Sequence, residues 1–253
     1  MKRQLPDSIE IIIQIFVDEI ARILSSRLYG IYMYGATVFP DAGPIMDIDC
    51  HVVLNEPLRE DDRRAIIEVL QDLDEKYPHV GGSPDAYFVL LDEAKTTSSP
   101  QHQLDMTMFD TSWALHCAHV RAGRYETLWG PEPTEIFPPP SWVDIEADLM
   151  GQLDYIEKHL CYPAYCVLNL CRIMYSYSAR DVVVSKQFSG NWGAKRFPEW
   201  KPLIQAAMKY NAEMRYYTKM TCREDDSLLE GQLRDFLAFS VDYINIIRKR
   251  NTE

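Results

Sequence analysis

A proline-rich segment near the middle of the chain constrains its fold more than any other feature. The segment "LWGPEPTEIFPPPSW", Leu128 to Trp142, contains five prolines and a glycine. Proline ends helices and is excluded from central strands, because it fixes φ and has no backbone N–H to donate. We therefore predict a linker at 129–141 that joins a domain at 1–128 to a domain at 142–253.

The two sides of this linker have different hydrophobic periodicities. Before it, three short β-rich runs are the predicted strands: 30–34, 48–54 and 86–91. Apolar spacing of three and four residues predicts helices beside them, at 8–26 and 59–76. After the linker the spacing is helical throughout, and the predicted helices are 142–160, 164–179, 199–217 and 226–250. The pattern predicts an α+β protein: an N-terminal domain with a small mixed β-sheet flanked by helices, and a C-terminal all-α helical bundle.

Charge is distributed unequally between the two parts. The formal net charge is −12; residues 1–141 hold 11 Lys and Arg against 23 Asp and Glu, whereas residues 142–253 hold 15 of each. An acidic surface repels phosphate backbones and attracts cations. We therefore expect no nucleic-acid partner, and the charge favours a cationic small molecule or a divalent metal ion, although solubility alone also explains it.

Targeting and redox signals are weak. No run of eighteen apolar residues occurs, and the N-terminal apolar stretch contains acids, which predicts a cytoplasmic protein without a membrane partner. A monomer is expected. The six cysteines form no CxxC and are interpreted as reduced core residues. His116 and His119 flank Cys117, a weak metal signal that we interpret as structural.

Two aspartates lie inside a β-rich run. Asp47 and Asp49 alternate in "IMDIDCHVVL", so in a strand their side chains project to one face about 7 Å apart. Two converging carboxylates repel unless a cation lies between them, and a hard divalent ion with oxygen ligands is the usual solution. Upstream, Gly35 permits a turn whose backbone N–H groups can approach phosphate oxygens. The alternative interpretation is a solvated strand end.

A third carboxylate would make such a site catalytic. Asp85 begins the third β-rich run, and it completes a triad if that run pairs with the strand that carries Asp49. It could then accept a proton from an attacking hydroxyl or bind a second ion. Because Asp85 follows "GSP", an ordinary turn residue is the competing interpretation.

These residues resemble a known family. The order Gly35, Ala36, Asp47 and Asp49 resembles the nucleotidyltransferase signature hG[GS]x(9–13)DhDh. Nearly the whole chain resembles the bacterial aminoglycoside adenylyltransferases of the streptomycin/spectinomycin type. The resemblance extends to "GRYETLWGPEP", "VLNLCRIMYSYS" and "SKQFSGNWGAKRFPEWKPLIQAAMKY".

The resemblance implies a magnesium-dependent nucleotidyltransferase. Such an enzyme moves AMP from ATP to a hydroxyl of a small, cationic acceptor, an aminoglycoside or aminocyclitol antibiotic, and releases pyrophosphate. The implied metal ligands are Asp47, Asp49 and Asp85, and Asp85 is also the implied catalytic base. The implied nucleotide-binding residues are Gly35, Ala36, Thr37, Arg172, Lys186 and Tyr243. Taken without the resemblance, the last three are better interpreted as an ion-paired, a solvated and a packed side chain.

The chain departs from the family pattern at several positions. Ala36 replaces a serine, although Thr37 beside it offers a hydroxyl, and Met46 replaces a serine that often precedes the first aspartate. The insert after the third strand is short, and an acid expected before the arginine is Tyr162. Two alternatives therefore remain open. One is a catalytically degraded nucleotide-binding or regulatory protein, which the aspartate at Asp85 in place of the usual glutamate also favours; the other is a protein AMPylator or antitoxin-type nucleotidyltransferase.

Overall fold

Two compact units make up the chain. The computed structural model describes residues 4–43, 45, 47–78, 82–213 and 227–252. The first unit comprises Met1–Pro40 with Ile45–Asp148, and the second unit comprises Asp41–Pro44 with Leu149–Glu253. The predicted domain limits stay a prediction. Met46 and the end of the helix predicted at 199–217 lie outside the described residues.

The first unit contains a mixed four-stranded sheet. Its strands are Leu28–Met33 (β1), Asp49–Leu54 (β2), Asp85–Leu90 (β3) and Glu126–Trp129 (β4), in the order β3-β2-β1-β4. β2 and β3 are parallel, and β1 runs antiparallel to both β2 and β4. The three predicted strands and the mixed sheet are confirmed. The prediction missed β4, because its four residues are too few to show alternation and a Gly-Pro pair follows them.

Helices α1 and α2 provide the cover of one sheet face. The helices of the first unit are Asp7–Leu24 (α1), Glu60–Lys76 (α2), Leu91–Ala94 (α3) and Trp113–Arg121 (α4). Phe16 of α1 and Ile66 of α2 are fully buried in one cluster with Cys50, Val52 and Phe88 from the strands. Alternate residues of a strand face opposite sides, so this aliphatic face uses every second residue of β2 and β3.

The opposite face packs on α4 and on part of the proline-rich segment. Tyr32 and Val53 from the strands are buried with Trp113 of α4 and with Ile136 and Phe137. The segment 129–141 therefore contributes core side chains to the first unit, although its prolines leave it without a helix longer than the 3₁₀ turn Pro133–Glu135.

In the described residues the second unit is helical, which confirms the predicted all-α part of the fold. Its helices are Trp142–Lys158 (α5, shared with the first unit), Pro163–Ala179 (α6), Lys186–Arg196 (α7), Lys201–Glu213 (α8) and Ser227–Thr252 (α9). α6 packs on α7, α8 and α9. A Cβ on Gly193 would lie 2.9 Å from the Cys171 sulfur, so this glycine allows α7 to pack closely on α6. The prediction missed α7, whose two glycines and weak apolar stripe hide its periodicity.

Two further observations concern membrane-spanning helices and the state of the cysteines. Within the described ranges, every helix is too short or too polar to cross a bilayer. The described cysteines are all free thiols, and each is buried except Cys161. Cys222 lies outside the described residues.

Candidate active site

Strand register places two of the predicted acids side by side. Asp49 and Asp85 are direct partners in the parallel β2–β3 pair, and the Asp85 amide donates to the carbonyl of Ile48 at 2.9 Å. Paired residues of neighbouring strands lie about 4.8 Å apart and project to the same face. Asp47 precedes β2 by two residues and is exposed. The structure therefore gathers the three acids at one edge of the sheet, formed by the N-terminal ends of β2 and β3. Their roles as metal ligands and base stay predictions.

A tight turn holds the carboxylate of Asp49 from the other side. The Tyr34 amide donates to the Asp49 carbonyl at 3.0 Å, and Gly35 follows with φ of +70°. A Cβ on Gly35 would lie 1.7 Å from Asp49 Oδ2, so only glycine fits both the backbone angle and the contact. Thr37 is buried, and its hydroxyl donates to the Tyr34 carbonyl at 2.6 Å. That hydroxyl stabilises the turn, and the predicted nucleotide contacts of Gly35, Ala36 and Thr37 remain to be tested.

The acids at this edge influence one another. Asp85 is exposed to solvent at the start of β3, and partial desolvation of its carboxyl together with the charge of Asp47 raises its pKa. Burial and the charge of Asp49 likewise raise the pKa of Tyr34. Carboxylates that destabilise one another's charge are a donor set suited to a hard divalent cation, since Mg²⁺ binds oxygen ligands. The three aspartates therefore fit a magnesium ion by chemistry.

A second cluster, of two histidines and one aspartate, lies behind this edge and was not predicted from the sequence. His51 projects to the same face of β2 as Asp49, while Asp110 precedes α4 and His116 lies within it. The His116 Nδ1 atom hydrogen-bonds Asp110 Oδ2 at 2.9 Å, and His51 Nε2 lies 3.6 Å from the same oxygen. Within the described part of the chain, this group, and not the three aspartates, brings a ligand atom from each member within 4.8 Å of the others. Asp47, Asp49 and Asp85 would need side-chain rotation to share one ion as closely.

Burial determines the charge state of this second cluster. His51 is fully buried, and desolvation lowers its pKa to about 4. Burial alone would raise the pKa of Asp110, but the charge and hydrogen bond of His116, together with His51, outweigh it and hold that pKa below its usual range. Asp110 Oδ1 also accepts from the Ser112 amide at 2.9 Å. The cluster therefore contains an ionised aspartate and a neutral His51 near pH 7.

Aromatic rings connect the second cluster to the turn. The Tyr34 ring stacks on the His51 ring with centroids 4.1 Å apart and an angle of 6°. It also contacts the ring of His116 at 4.6 Å. On its other sides His51 meets Trp113 at 5.0 Å and Phe137 at 5.7 Å. The turn that supports Asp49 thus rests on the two histidines.

The three predicted nucleotide contacts of the second part lie on helices of the second unit. Arg172 belongs to α6, Lys186 begins α7 and Tyr243 lies in α9. The Lys186 ammonium lies 4.9 Å from the centroid of the Tyr165 ring, and the Tyr243 hydroxyl lies 2.9 Å from the Ser178 hydroxyl. Their contact with a nucleotide stays a prediction.

Comparisons with known proteins give one match to a family profile and similarity to a solved structure. Residues 141–233 match the family profile described as "Aminoglycoside adenylyltransferase, C-terminal domain". A comparison with curated protein sequences gives no significant match. Among solved structures, the chain is similar to a crystal structure of the spectinomycin adenyltransferase AAD(9) from Enterococcus faecialis with ATP and spectinomycin. The TM-score is 0.73 at 15% sequence identity, over 93% of this chain and 99% of that one. Residues 141–233 are thus similar to the C-terminal domain of aminoglycoside adenylyltransferases, and the chain as a whole shares the fold of that spectinomycin adenyltransferase.

Proposed function

We propose that this protein transfers AMP from ATP to a hydroxyl group of a small cationic acceptor and releases pyrophosphate in a magnesium-dependent reaction. The observation that carries the proposal is the register of Asp49 opposite Asp85, with the Gly35 turn packed against Asp49. The similar AAD(9) structure contains ATP and spectinomycin, which supports an aminocyclitol as the first acceptor to test. The proposal includes a monomeric enzyme in the cytoplasm, where ATP is available.

Asp47 and Asp49, with Asp85, would hold magnesium through carboxylate oxygens. Bound there, the ion would neutralise the phosphate charge that otherwise opposes attack at phosphorus. An acidic first unit needs such an ion to bind a triphosphate, because its own carboxylates repel the phosphates. Cationic side chains of the second part, Arg172 and Lys186, would contribute the remaining positive charge, and Tyr243 a ring or hydroxyl contact.

Asp85 would act as the general base. The acceptor hydroxyl loses its proton to Asp85 as its oxygen bonds to the α-phosphorus, and the bond from that phosphorus to the bridging oxygen breaks, releasing pyrophosphate. Without an ion, desolvation and the charge of Asp47 raise the pKa of the Asp85 carboxyl. An ion held by Asp47 and Asp49 would lower it again, so Asp85 would act as the base when it is not itself bound to the ion. The excess of acids in residues 1–141 favours an acceptor that carries amino groups.

Incubation of the purified protein with ATP, magnesium and a panel of aminoglycosides and aminocyclitols tests the proposal. We expect pyrophosphate release with at least one acceptor and a mass increase of that acceptor by one AMP group. Asp49→Asn should remove turnover by removing a metal ligand. Asp92→Asn is the matched control, because the Asp92 side chain is 98% exposed and its ion pair with Lys95 is long, at 3.9 Å.

Two other outcomes identify the alternatives. Tight binding of ATP with magnesium in calorimetry, without pyrophosphate release across the panel, would support the regulatory protein. Transfer of label from ATP to a protein in a host lysate would support AMPylation. Full activity of Asp49→Asn would reject the assignment of the metal ligands.

A further inference from the structure

The imidazole of His51 is buried inside the first unit. Its exposed fraction is 0%, and within the described residues neither Nδ1 nor Nε2 has a partner within hydrogen-bond distance. Buried polar atoms in folded proteins are almost always paired, so an exception indicates a missing water, ion or ligand. The neighbouring rings of Tyr34, Trp113 and Phe137 enclose His51. The Nε2 atom of His51 lies 3.6 Å from the carboxylate oxygen Oδ2 of Asp110.

Geometry around that nitrogen is compatible with one shared ion. Asp110 Oδ2 lies 3.6 Å from His51 Nε2 and 2.9 Å from His116 Nδ1. One ligand atom from each of the three residues lies within 4.8 Å of the other two. Ligands bound to one ion at about 2.0–2.2 Å are separated by roughly 3–3.5 Å. The 3.6 Å distance between His51 Nε2 and Asp110 Oδ2 is already close to this separation. The 2.9 Å distance between His116 Nδ1 and Asp110 Oδ2 is a hydrogen bond, which must lengthen by a few tenths of an ångström when both atoms bind the ion.

The donor set selects the class of ion. Two imidazole nitrogens and one carboxylate oxygen suit zinc and neighbouring divalent transition metals, whereas magnesium prefers oxygen ligands alone. We propose that His51, Asp110 and His116 bind one divalent transition-metal ion of the zinc type inside the first unit. This site is separate from the three aspartates at the strand ends and does not depend on the proposed AMP transfer.

Such an ion would stabilise the support of the turn. It would join β2, the segment before α4 and α4 itself, because each of these contributes one ligand. Tyr34 stacks on one of the ligands and contacts another, and its amide holds the Asp49 carbonyl. His51 and Asp110 are buried, and the His116 side chain is only 19% exposed. A site this enclosed is structural in character, with His116 on the side from which water can reach the ion.

Metal content and cobalt spectroscopy of the full, tag-free chain test the site. We expect one Zn²⁺ per chain after loading and dialysis, and visible ligand-field absorption when Co²⁺ replaces zinc. At a hundredfold excess over Kd, zinc should raise Tm by about 5–10 °C. His116→Ala and Asp110→Ala should weaken zinc binding at least about 100-fold. Because His116 is partly exposed, its replacement should leave a folded protein, and circular dichroism checks this.

Two control variants make the result specific. His159→Ala removes a half-buried histidine of the second unit that stacks on Tyr155, and it should bind zinc like the wild type. The double variant Asp47→Asn/Asp49→Asn should also retain zinc. The proposal is overturned if the wild type retains no zinc and gives no cobalt absorption. It is equally overturned if His116→Ala binds as the wild type does, or if only the double variant loses the ion.

Discussion

The two faces of the sheet are made by the same strands and have opposite chemistry. Toward α1 and α2, β2 presents Cys50 and Val52 to an aliphatic core. Toward α4 it presents Asp49 and His51 to acids, imidazoles and aromatic rings. The difference shows that stability and chemistry are divided between alternate residues of one strand. We expect substitutions on the aliphatic face to change folding, and substitutions on the acidic face to change activity while folding stays intact.

Asp49→Asn should give the largest effect and the clearest separation. Loss of a metal ligand should lower kcat/KM for AMP transfer by about 10⁴-fold, or roughly 5.5 kcal/mol. The free energy of unfolding should change little, because asparagine keeps the shape of the side chain and removes only its charge. Pyrophosphate release and urea unfolding measure the two quantities. A loss of stability equal to that of a core variant would break the comparison.

Phe88→Ala is the reverse experiment on the aliphatic face. The Phe88 side chain is fully buried in the core against α1 and α2, and its loss should cost about 3–5 kcal/mol of unfolding free energy. Turnover per folded molecule at low temperature should stay near that of the wild type. Phe88→Leu is the matched control and should cost about 1 kcal/mol. A 100-fold loss of turnover in folded Phe88→Ala would show that the faces are coupled.

A buried ion pair shows how the aliphatic side accommodates an acid. Arg27 binds Asp62 through two hydrogen bonds of 2.6 and 2.7 Å, with side chains 14% and 9% exposed. Arg27→Met leaves Asp62 buried without its cation and should cost about 3 kcal/mol in chemical denaturation. Arg64→Met breaks the exposed pair with Asp61 and should cost less than about 0.5 kcal/mol. Equal costs would contradict the assigned role of burial.

Substitution of two glycines with positive φ distinguishes the cost of backbone strain from the cost of a clash with Asp49. Gly35→Ala combines a φ of +70° with a clash against the Asp49 carboxylate, and it should cost about 2–3 kcal/mol and most of the activity. Gly123→Ala has a φ of +75° with no atom within 4 Å of the new Cβ, and should cost about 1 kcal/mol with activity retained. Thermal unfolding and turnover of both variants measure the difference. Equal activity losses in the two variants would show that the clash with Asp49 does not explain the effect of Gly35→Ala.

The pH dependence of stability should show the smallest effect. Because the pKa of Asp85 is raised in the folded protein, the group stabilises the fold below its ordinary pKa, and that contribution is lost as the pH rises through the raised value. Asp85→Asn should therefore match the wild type in acid and become relatively more stable toward neutral pH. Unfolding midpoints from pH 3 to 8 measure this difference. A variant that is less stable than the wild type at neutral pH would contradict the sign.

Local patterns predicted the strands but not their partners. Short runs rich in β-branched and aromatic residues were enough to assign β2 and β3, and the resemblance placed Asp85 near Asp49, yet only the structure gives their parallel pairing. The structure also starts β2 at Asp49, so Asp47 precedes the strand by two residues, although its common face with Asp49 was predicted from strand geometry. In both cases the missing information is tertiary, since hydrogen bonds to a neighbouring strand set register and strand ends.

The cluster of His51, Asp110 and His116 could not be predicted for a similar reason. His116 was predicted to be structural because it was paired only with its helical neighbour His119. No short motif joins a histidine in a strand to an acid before a helix much later in the chain. One signal was present: His51 is polar at a position where "DCHVVL" otherwise becomes continuously apolar. A polar residue inside a buried strand is worth pairing with distant ligands before it is treated as packing.

The pairing of Asp49 with Asp85 has a consequence for how relatives of this protein can diverge. Insertions or deletions between β2 and β3 leave the two acids opposite each other as long as the ladder is kept. A one-residue insertion inside either strand would turn one acid into the aliphatic core. Length variation should therefore be tolerated in that connection and purged from the strands, even among homologues whose sequences have drifted almost beyond recognition.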